Sequence, residues 1–200
     1  MIRAVLFDAD GVIQKASDRF YPDLTGLVEN DGDRFAAEVF SAEGPCATGE
    51  GDFRQVLIEV LARWEVDLSV YEVLQIWYQI DLVDNLFELL NQIQQQDIKV
   101  ALATNQQAYR MTYMGSELGY DHHFDASFYS CSVGFKKPQL EFYQHAIDRL
   151  ELPAEQCLFL DDKLENVIAA REVGLQAEQF EFSTVQAGAE ELRIVLEKYL

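Results

Sequence analysis

The stretch that decides the fold is Ala4-Val5-Leu6-Phe7-Asp8-Ala9-Asp10-Gly11-Val12, close to the start of the chain. Four apolar residues run without interruption into two carboxylates two positions apart, and a glycine follows at once. A continuous apolar run that ends at a turn residue is typical of a strand buried on both faces of a parallel sheet. Residues two apart in an extended chain point to the same side, so Asp8 and Asp10 are predicted to project together where this strand ends.

This pair of carboxylates has two interpretations. Like charges held close together are unfavourable unless a cation lies between them or one is protonated, and hard oxygen ligands favour Mg²⁺. Ligands bind at the carboxyl ends of the strands in open α/β sheets, so the pair indicates a metal-assisted site. Alternatively, Asp8 and Asp10 are N-cap residues of a following helix. Residues further along the chain are needed to distinguish the two interpretations.

The composition excludes several classes of partner. The chain has 200 residues, 49% of them hydrophobic, enough for one domain with a modest insertion. Its net charge of −20 disfavours nucleic acids and anionic membranes as partners. Cys46, Cys131 and Cys157 form no Cys-x-x-Cys pair, and neither a signal-peptide pattern nor a long apolar run is present. We therefore expect a cytoplasmic protein with reduced thiols, while its oligomeric state stays open.

The segment from about residue 15 to residue 81 shows helical periodicity and no convincing buried strand. Asp52 can cap one helix, and Ser69 with Glu72 three residues later forms a capping box for the next. A helical block of about 65 residues is too long for a crossover between two strands. Residues 15–81 are therefore predicted to form an inserted helical cap.

Strands and helices alternate in the rest of the chain. After the first strand, buried strands are predicted near residues 98–103, 126–130, 157–160 and 175–180. This alternation predicts an α/β fold with a doubly wound, Rossmann-like parallel sheet. The core is therefore predicted to comprise residues 1–14 and 82–200.

Polar residues follow three of these strands, and a lysine lies on a loop between two of them. The set comprises Asp8, Asp10, Thr104, Asn105, Lys137, Asp161 and Asp162. Taken singly, Thr104 or the pair of aspartates could cap a helix, but capping does not explain acids, a hydroxyl and a lysine at one edge of a sheet. Pro138 suits the first turn of a helix, which would place Lys137 at a helix N-terminus, itself a site for anions.

These side chains suit phosphoryl transfer. A carboxylate can attack phosphorus if a cation cancels the repulsion between the two anions. Mg²⁺ bound by Asp8, Asp162 and a backbone carbonyl near Asp10 would do so. The hydroxyl of Thr104 and the ammonium of Lys137 can bind the remaining phosphate oxygens.

The order and spacing of four motifs resemble the haloacid dehalogenase superfamily. The motifs are Val5-Leu6-Phe7-Asp8-Ala9-Asp10-Gly11, then Thr104-Asn105, then Gly134-Phe135-Lys136-Lys137-Pro138, and finally Asp161-Asp162-Lys163-Leu164-Glu165-Asn166. The resemblance implies that Asp8 is the nucleophile and Asp10 the general acid/base, with Thr104 and Lys137 on the phosphate. It also implies Mg²⁺ dependence, an aspartyl-phosphate intermediate and a helical cap after the first motif.

The fourth motif departs from the family pattern at two positions. Asp161 stands where many relatives have glycine, which leaves open whether it binds the metal directly or through water. Asn166 replaces an aspartate, so it is expected to orient the ligands while carrying no charge. Asn105, which many members share, is expected to support phosphate binding.

The acid at position 10 favours one reaction class within the family. Dehalogenases lack an acid there, whereas phosphatases and phosphomutases keep one, so the resemblance implies a phosphatase acting on a small phosphorylated metabolite. Phosphonate hydrolysis is disfavoured because it uses a cap lysine and a replaced second acid. A phosphomutase similar to β-phosphoglucomutase is the alternative. A receiver-like phosphate acceptor or an inactive binding protein is less favoured, because of the inserted cap and the complete motifs.

Five further residues in the predicted cap are candidates for substrate contact. Lys15, Arg19 and Arg54 are the basic residues best placed to reach a substrate, although each is better interpreted as a surface residue. Trp64 and Trp77, at helical spacing, are interpreted as cap core rather than as a stacking platform. The leaving group is not defined by the sequence.

Overall fold

A computed structural model describes residues 1–200, and five strands form its central sheet. In chain order, the strands of the molecule are β1 (Ala4–Phe7), β2 (Gln14–Ala16), β3 (Ile80–Leu82), β4 (Lys99–Thr104), β5 (Ala126–Tyr129), β6 (Cys157–Asp161) and β7 (Gln176–Gln179). The central sheet has the order β5-β4-β1-β6-β7, and all its neighbouring strands are parallel. The predicted doubly wound α/β fold is thereby confirmed.

The first strand lies at the centre of this sheet, which explains its unbroken apolar sequence. All four residues of β1 are buried, because helices cover both faces of the sheet. Phe7 pairs with Leu102 on one side and with Leu160 on the other. This register brings the ends of β1, β4 and β6 to the same edge, where Asp8 follows β1 directly.

Eleven α-helices surround the sheet or form the inserted block. They are α1 (Phe20–Thr25), α2 (Gly32–Glu43), α3 (Phe53–Arg63), α4 (Val70–Trp77), α5 (Leu86–Gln94), α6 (Ala108–Thr112), α7 (Tyr120–His123), α8 (Ser130–Val133), α9 (Leu140–Leu150), α10 (Leu164–Glu172) and α11 (Gly188–Leu196). Helices α5 and α11 pack on one face of the sheet, and α9 and α10 pack on the other. No helix combines the length and apolar character needed to cross a bilayer.

Helices α1 to α4 pack around an apolar cluster of their own. Thirteen buried residues make up this cluster, and Phe53, Leu57 and Trp77 are among its large side chains. Strands β2 and β3 form an antiparallel ribbon at the two points where the helical block joins the sheet. The domain boundaries proposed after residue 14 and before residue 82 fall inside this ribbon.

Both helix N-caps predicted in the helical block are present. Asp52 accepts a hydrogen bond from the backbone NH of Arg54 at the start of α3. Ser69 and Glu72 form a reciprocal capping box at the start of α4. These local signals depend only on neighbouring residues, which is why the sequence reveals them.

The prediction for Pro138 is wrong. Helix α9 begins at Leu140 with Gln139 as its N-cap, so Pro138 precedes the helix and Lys137 does not lie in its first turn. Gln139 instead accepts a hydrogen bond from the backbone NH of Lys136 with its side chain, which ties the loop before the helix. The position of Lys137 therefore depends on this loop and on its ion pairs rather than on a helix N-terminus.

Candidate active site

Three carboxylates converge where β1 and β6 end. Carboxylate oxygens of Asp8, Asp161 and Asp162 lie within 4.8 Å of one another, a spacing that could hold a metal ion. One oxygen of Asp162, Oδ1, is buried and has no hydrogen-bond partner. An unpaired carboxylate oxygen beside two further acids fits a hard divalent cation such as Mg²⁺.

Gly11 leaves room for one of these acids. Its φ is +92°, and a Cβ atom at this position would lie 2.9 Å from the Cβ of Asp162. A larger residue would therefore be strained and would also push the Asp162 carboxylate away. Gly11 thus permits the side chain of Asp162, 151 positions later in the sequence, to pack beside the first motif.

Lys137 lies between two of the acids. Its Nζ is 2.7 Å from Oδ1 of Asp8 and 2.6 Å from Oδ2 of Asp161. Burial alone would lower the pKa of this lysine, but the two carboxylates outweigh that effect and raise it. Burial raises the pKa of Asp8 to about 7, while Lys137 opposes the increase. The ammonium therefore favours the ionised form of Asp8, which is the nucleophilic one.

Asn105 holds the loop that carries this lysine. Its Nδ2 donates to the carbonyl of Lys137 at 3.0 Å, and the backbone NH of Lys137 donates to its Oδ1 at 2.9 Å. Asp161 is oriented in turn, because Nδ2 of Asn166 and the NH of Lys163 both donate to it. Asn105 and Asn166 therefore orient Lys137 and Asp161 through hydrogen bonds.

Thr104 ends β4 beside the same edge of the sheet. It is buried, and its Oγ1 accepts a weak hydrogen bond, 3.3 Å long, from Nε2 of Gln106. Gln106 is fixed by its own backbone NH, which donates to Oγ of Ser130. The hydroxyl proton of Thr104 is thus free to donate to a ligand oxygen.

Asp10 is held by a different set of donors from Asp8. Arg110 forms a bidentate pair with its carboxylate, at 2.9 and 2.8 Å. Gln14 and Gln106 each add one further hydrogen bond through Nε2. Burial would raise the pKa of Asp10, but Arg110 together with the hydrogen bonds from Gln14 and Gln106 outweighs burial and holds the pKa below its usual value.

No sequence motif points to Arg110, Gln14 or Gln106. Arg110 is 100 positions from Asp10, and no motif links the two. Gln14 directly follows the apolar pair Val12-Ile13 beside the first motif, a sequence signal that could have drawn attention to it, and the structure shows it buried. By contrast, the predicted residues Asp8, Thr104 and Asp161 all lie at the ends of strands, at one edge of the sheet.

The basic residues of the predicted cap are at least partly exposed, and each contacts another polar side chain. Lys15 pairs with Asp18, and Arg19 pairs with Asp23. Arg54 donates to the hydroxyl of Tyr71 at 3.1 Å. The structure therefore agrees with the interpretation of Lys15, Arg19 and Arg54 as surface residues.

A family model for haloacid dehalogenase-like hydrolases matches residues 2–174. This region covers all four motifs and every strand and helix from β1 to α10. The chain therefore belongs to the haloacid dehalogenase-like hydrolases.

Two relatives with assigned names have partial sequence similarity to the chain. A sesquiterpene phosphatase of Aspergillus oryzae is 40% identical over 88 residues, which are 44% of this chain and 44% of that protein. Flavin mononucleotide hydrolase 1 of Arabidopsis thaliana is 31% identical over 101 residues, which are 50% of this chain and 40% of that protein. The chain thus spans less than half the length of these relatives.

Solved structures with the same fold match most of the chain. A haloacid dehalogenase family enzyme of Bacteroides thetaiotaomicron, crystallised with magnesium and inorganic phosphate, superimposes with a TM-score of 0.78 at 15% identity, covering 92% of this chain and 96% of that one. A phosphatase of the same family from Thermococcus onnurineus gives 0.70 at 19% identity, covering 98% of each chain. At these identities the likeness concerns the fold.

Proposed function

We propose that the chain hydrolyses a small phosphomonoester through an aspartyl-phosphate on Asp8, with Mg²⁺ bound by Asp8, Asp162 and the backbone carbonyl of Asp10, and by Asp161 either directly or through water. The observation that carries the proposal is the buried arrangement of Asp8, Lys137 and Asp161, with an unpaired oxygen of Asp162 beside them. The phosphatase and hydrolase names of the two relatives support the reaction class.

The residues have complementary roles in the first half of the reaction. A carboxylate oxygen of Asp8 attacks phosphorus, and the bond to the leaving oxygen breaks. Lys137 and the hydroxyl of Thr104 bind phosphate oxygens and stabilise their charge in the transition state. Bound Mg²⁺ would lower the repulsion between the phosphate and the carboxylates. Asp10 gives its proton to the leaving oxygen, so that an alcohol departs.

Water completes the reaction. The carboxylate of Asp10 takes a proton from a water molecule that attacks the aspartyl-phosphate, and phosphate and free Asp8 result. The acid and base steps both require that Asp10 gain and lose a proton. The bidentate pair with Arg110 favours the ionised form of Asp10, which is the form that accepts the proton from water.

The test is hydrolysis of p-nitrophenyl phosphate with Mg²⁺ and with a chelator, for the unmodified chain and for Asp8→Asn. We expect activity only with Mg²⁺, and a loss of about 10³-fold or more in Asp8→Asn, because an amide is a poor nucleophile. Asp18→Asn is the matched control, since Asp18 is exposed and pairs only with Lys15. Undiminished turnover by Asp8→Asn would contradict the proposed mechanism.

A further inference from the structure

A cavity of about 350 Å³ lies between the helical block and the sheet. Asp10, Gln107 and Arg110 line it from the core, while Glu43 and Trp77 line it from the block. Asp10 is the residue proposed to protonate the leaving oxygen. The alcohol that leaves therefore occupies this cavity during the reaction.

Glu43 and Gln107 form the polar wall of the cavity. Nε1 of Trp77 donates to Oε1 of Glu43 at 2.8 Å, which fixes the orientation of the carboxyl group. Gln107 is only 2% exposed, and its Oε1 caps α6 by accepting from the NH of Tyr109. Its Nε2 is buried near the carboxyl group of Glu43, but no hydrogen bond of ordinary length joins the two. A ligand that brings an acceptor to this donor would be favoured over one that leaves it unpaired.

The charges of the cavity disfavour a second anionic group on the substrate. Arg110 is the only cation in the lining, and the carboxylate of Asp10 already pairs with it through both oxygens. Glu43 adds another carboxyl group to the wall. A leaving group with its own phosphate or carboxylate would meet these acids without a free cation to balance it.

The apolar part of the lining would suit either a sugar or a hydrocarbon chain. Phe20, Phe40 and Trp77 contribute aromatic surface, against which the C–H faces of a sugar or the methylenes of a prenyl chain can pack. A prenyl chain, however, would cover Glu43 and Gln107 without giving either of them a hydrogen bond. Burying polar groups in that way is unfavourable, whereas hydroxyl groups would satisfy both.

We propose that Glu43 and Gln107 bind hydroxyl groups of the leaving alcohol, and that the cavity takes an uncharged polyhydroxylated alcohol such as a monosaccharide. Nε2 of Gln107 donates to a hydroxyl oxygen of this ligand, and the carboxyl group of Glu43 accepts from a second hydroxyl. Glu43 and Gln107 thereby determine specificity. This inference rests on the proposed phosphatase function, since it names the leaving group of that reaction.

The experiment measures kcat/KM with Mg²⁺ for a hexose monophosphate, a hexose bisphosphate, an isoprenyl monophosphate and p-nitrophenyl phosphate. We expect the unmodified chain to prefer the hexose monophosphate over the bisphosphate and the prenyl compound by about tenfold or more. Glu43→Gln keeps an acceptor for Trp77 but replaces the second carboxyl oxygen with an amide group that donates, and Gln107→Glu keeps the helix cap but removes the donor. Each variant should lower the ratio of hexose monophosphate to p-nitrophenyl phosphate turnover by about tenfold, chiefly through KM.

Glu59→Gln is the matched control, because Glu59 is exposed on α3, and it should leave this ratio unchanged. Preference for the prenyl compound or the bisphosphate, or an unchanged ratio in both cavity variants, would overturn the assignment of the leaving group. Hydrolysis of p-nitrophenyl phosphate that depends on Asp8 would still support the phosphatase function in that case. No hydrolysis of any compound would instead overturn the proposed function itself.

Discussion

At the scale of single residues, Lys137 has both a structural and a chemical role. It is 3% exposed and contacts Asp8 and Asp161 at once. Removing it would leave two carboxylates buried side by side without a compensating cation. Breaking a buried ion pair by removing one partner costs about 3 kcal/mol or more, because the remaining charge is uncompensated.

We therefore predict that Lys137→Ala lowers both stability and turnover. Its free energy of unfolding should fall by about 3 kcal/mol, and kcat/KM for p-nitrophenyl phosphate should fall by about 10²-fold or more, because a donor to the phosphate oxygens is lost. Urea denaturation and steady-state kinetics measure the two effects. Lys136→Ala is the control, since the side chain of Lys136 forms no ion pair in this structure. Equal turnover by the two variants would contradict the role given to Lys137.

The site residues that could be predicted are those whose role follows from their place at a strand end. Asp8 and Asp161 lie at strand ends, so the parallel fold alone brings them together. Arg110 and Glu43 could not be found in this way. Arg110 reaches Asp10 from the helix that follows another strand, and Glu43 reaches the cavity from the inserted block, so both depend on how separate elements pack.

At the scale of elements, the capping box of α4 shows how local signals stabilise the helical block. Ser69 and Glu72 satisfy backbone groups at the start of this helix, whose Trp77 lies in the core of the block and also lines the cavity. Strands β2 and β3 and helix α1 lack comparable signals. Each strand has only three residues and is partly exposed, and α1 contains Pro22, so apolar periodicity does not reveal these elements.

We predict that Ser69→Ala lowers the free energy of unfolding by about 1 kcal/mol, because the first turn of α4 loses its capping acceptor. Urea denaturation at constant pH measures the change. Ser41→Ala makes the same chemical substitution in the exposed interior of α2 and should change stability by less than about 0.5 kcal/mol. A Ser69→Ala protein as stable as the Ser41→Ala protein would show that the capping box contributes nothing measurable.

At the scale of the whole molecule, the helical block and the sheet meet across a partly buried acid, Glu43. Glu43 ends α2 and faces Arg110 and Asp10 from the other side of the cavity. Burial raises its pKa to about 7, although the hydrogen bond from Trp77 and the charge of Arg110 act in the opposite direction. The folded chain therefore binds a proton at Glu43 that the unfolded chain releases at a pH near 4.5.

This difference in proton binding gives stability a predictable dependence on pH. Between about pH 4.5 and pH 7 the folded state binds more protons at Glu43 than the unfolded state does, so the contribution of this residue to stability falls as pH rises. Glu43→Gln does not titrate and keeps an acceptor for Trp77. Its free energy of unfolding, relative to that of the unmodified chain, should therefore increase by about 3 kcal/mol from pH 4.5 to pH 8. Urea denaturation of both proteins across this range measures the difference between their free energies of unfolding. The other titrating groups are common to both proteins, so their contributions to this difference largely cancel. A difference that stays constant with pH would show that Glu43 titrates alike in the folded and unfolded chains, and that the contact between block and sheet tolerates its charge.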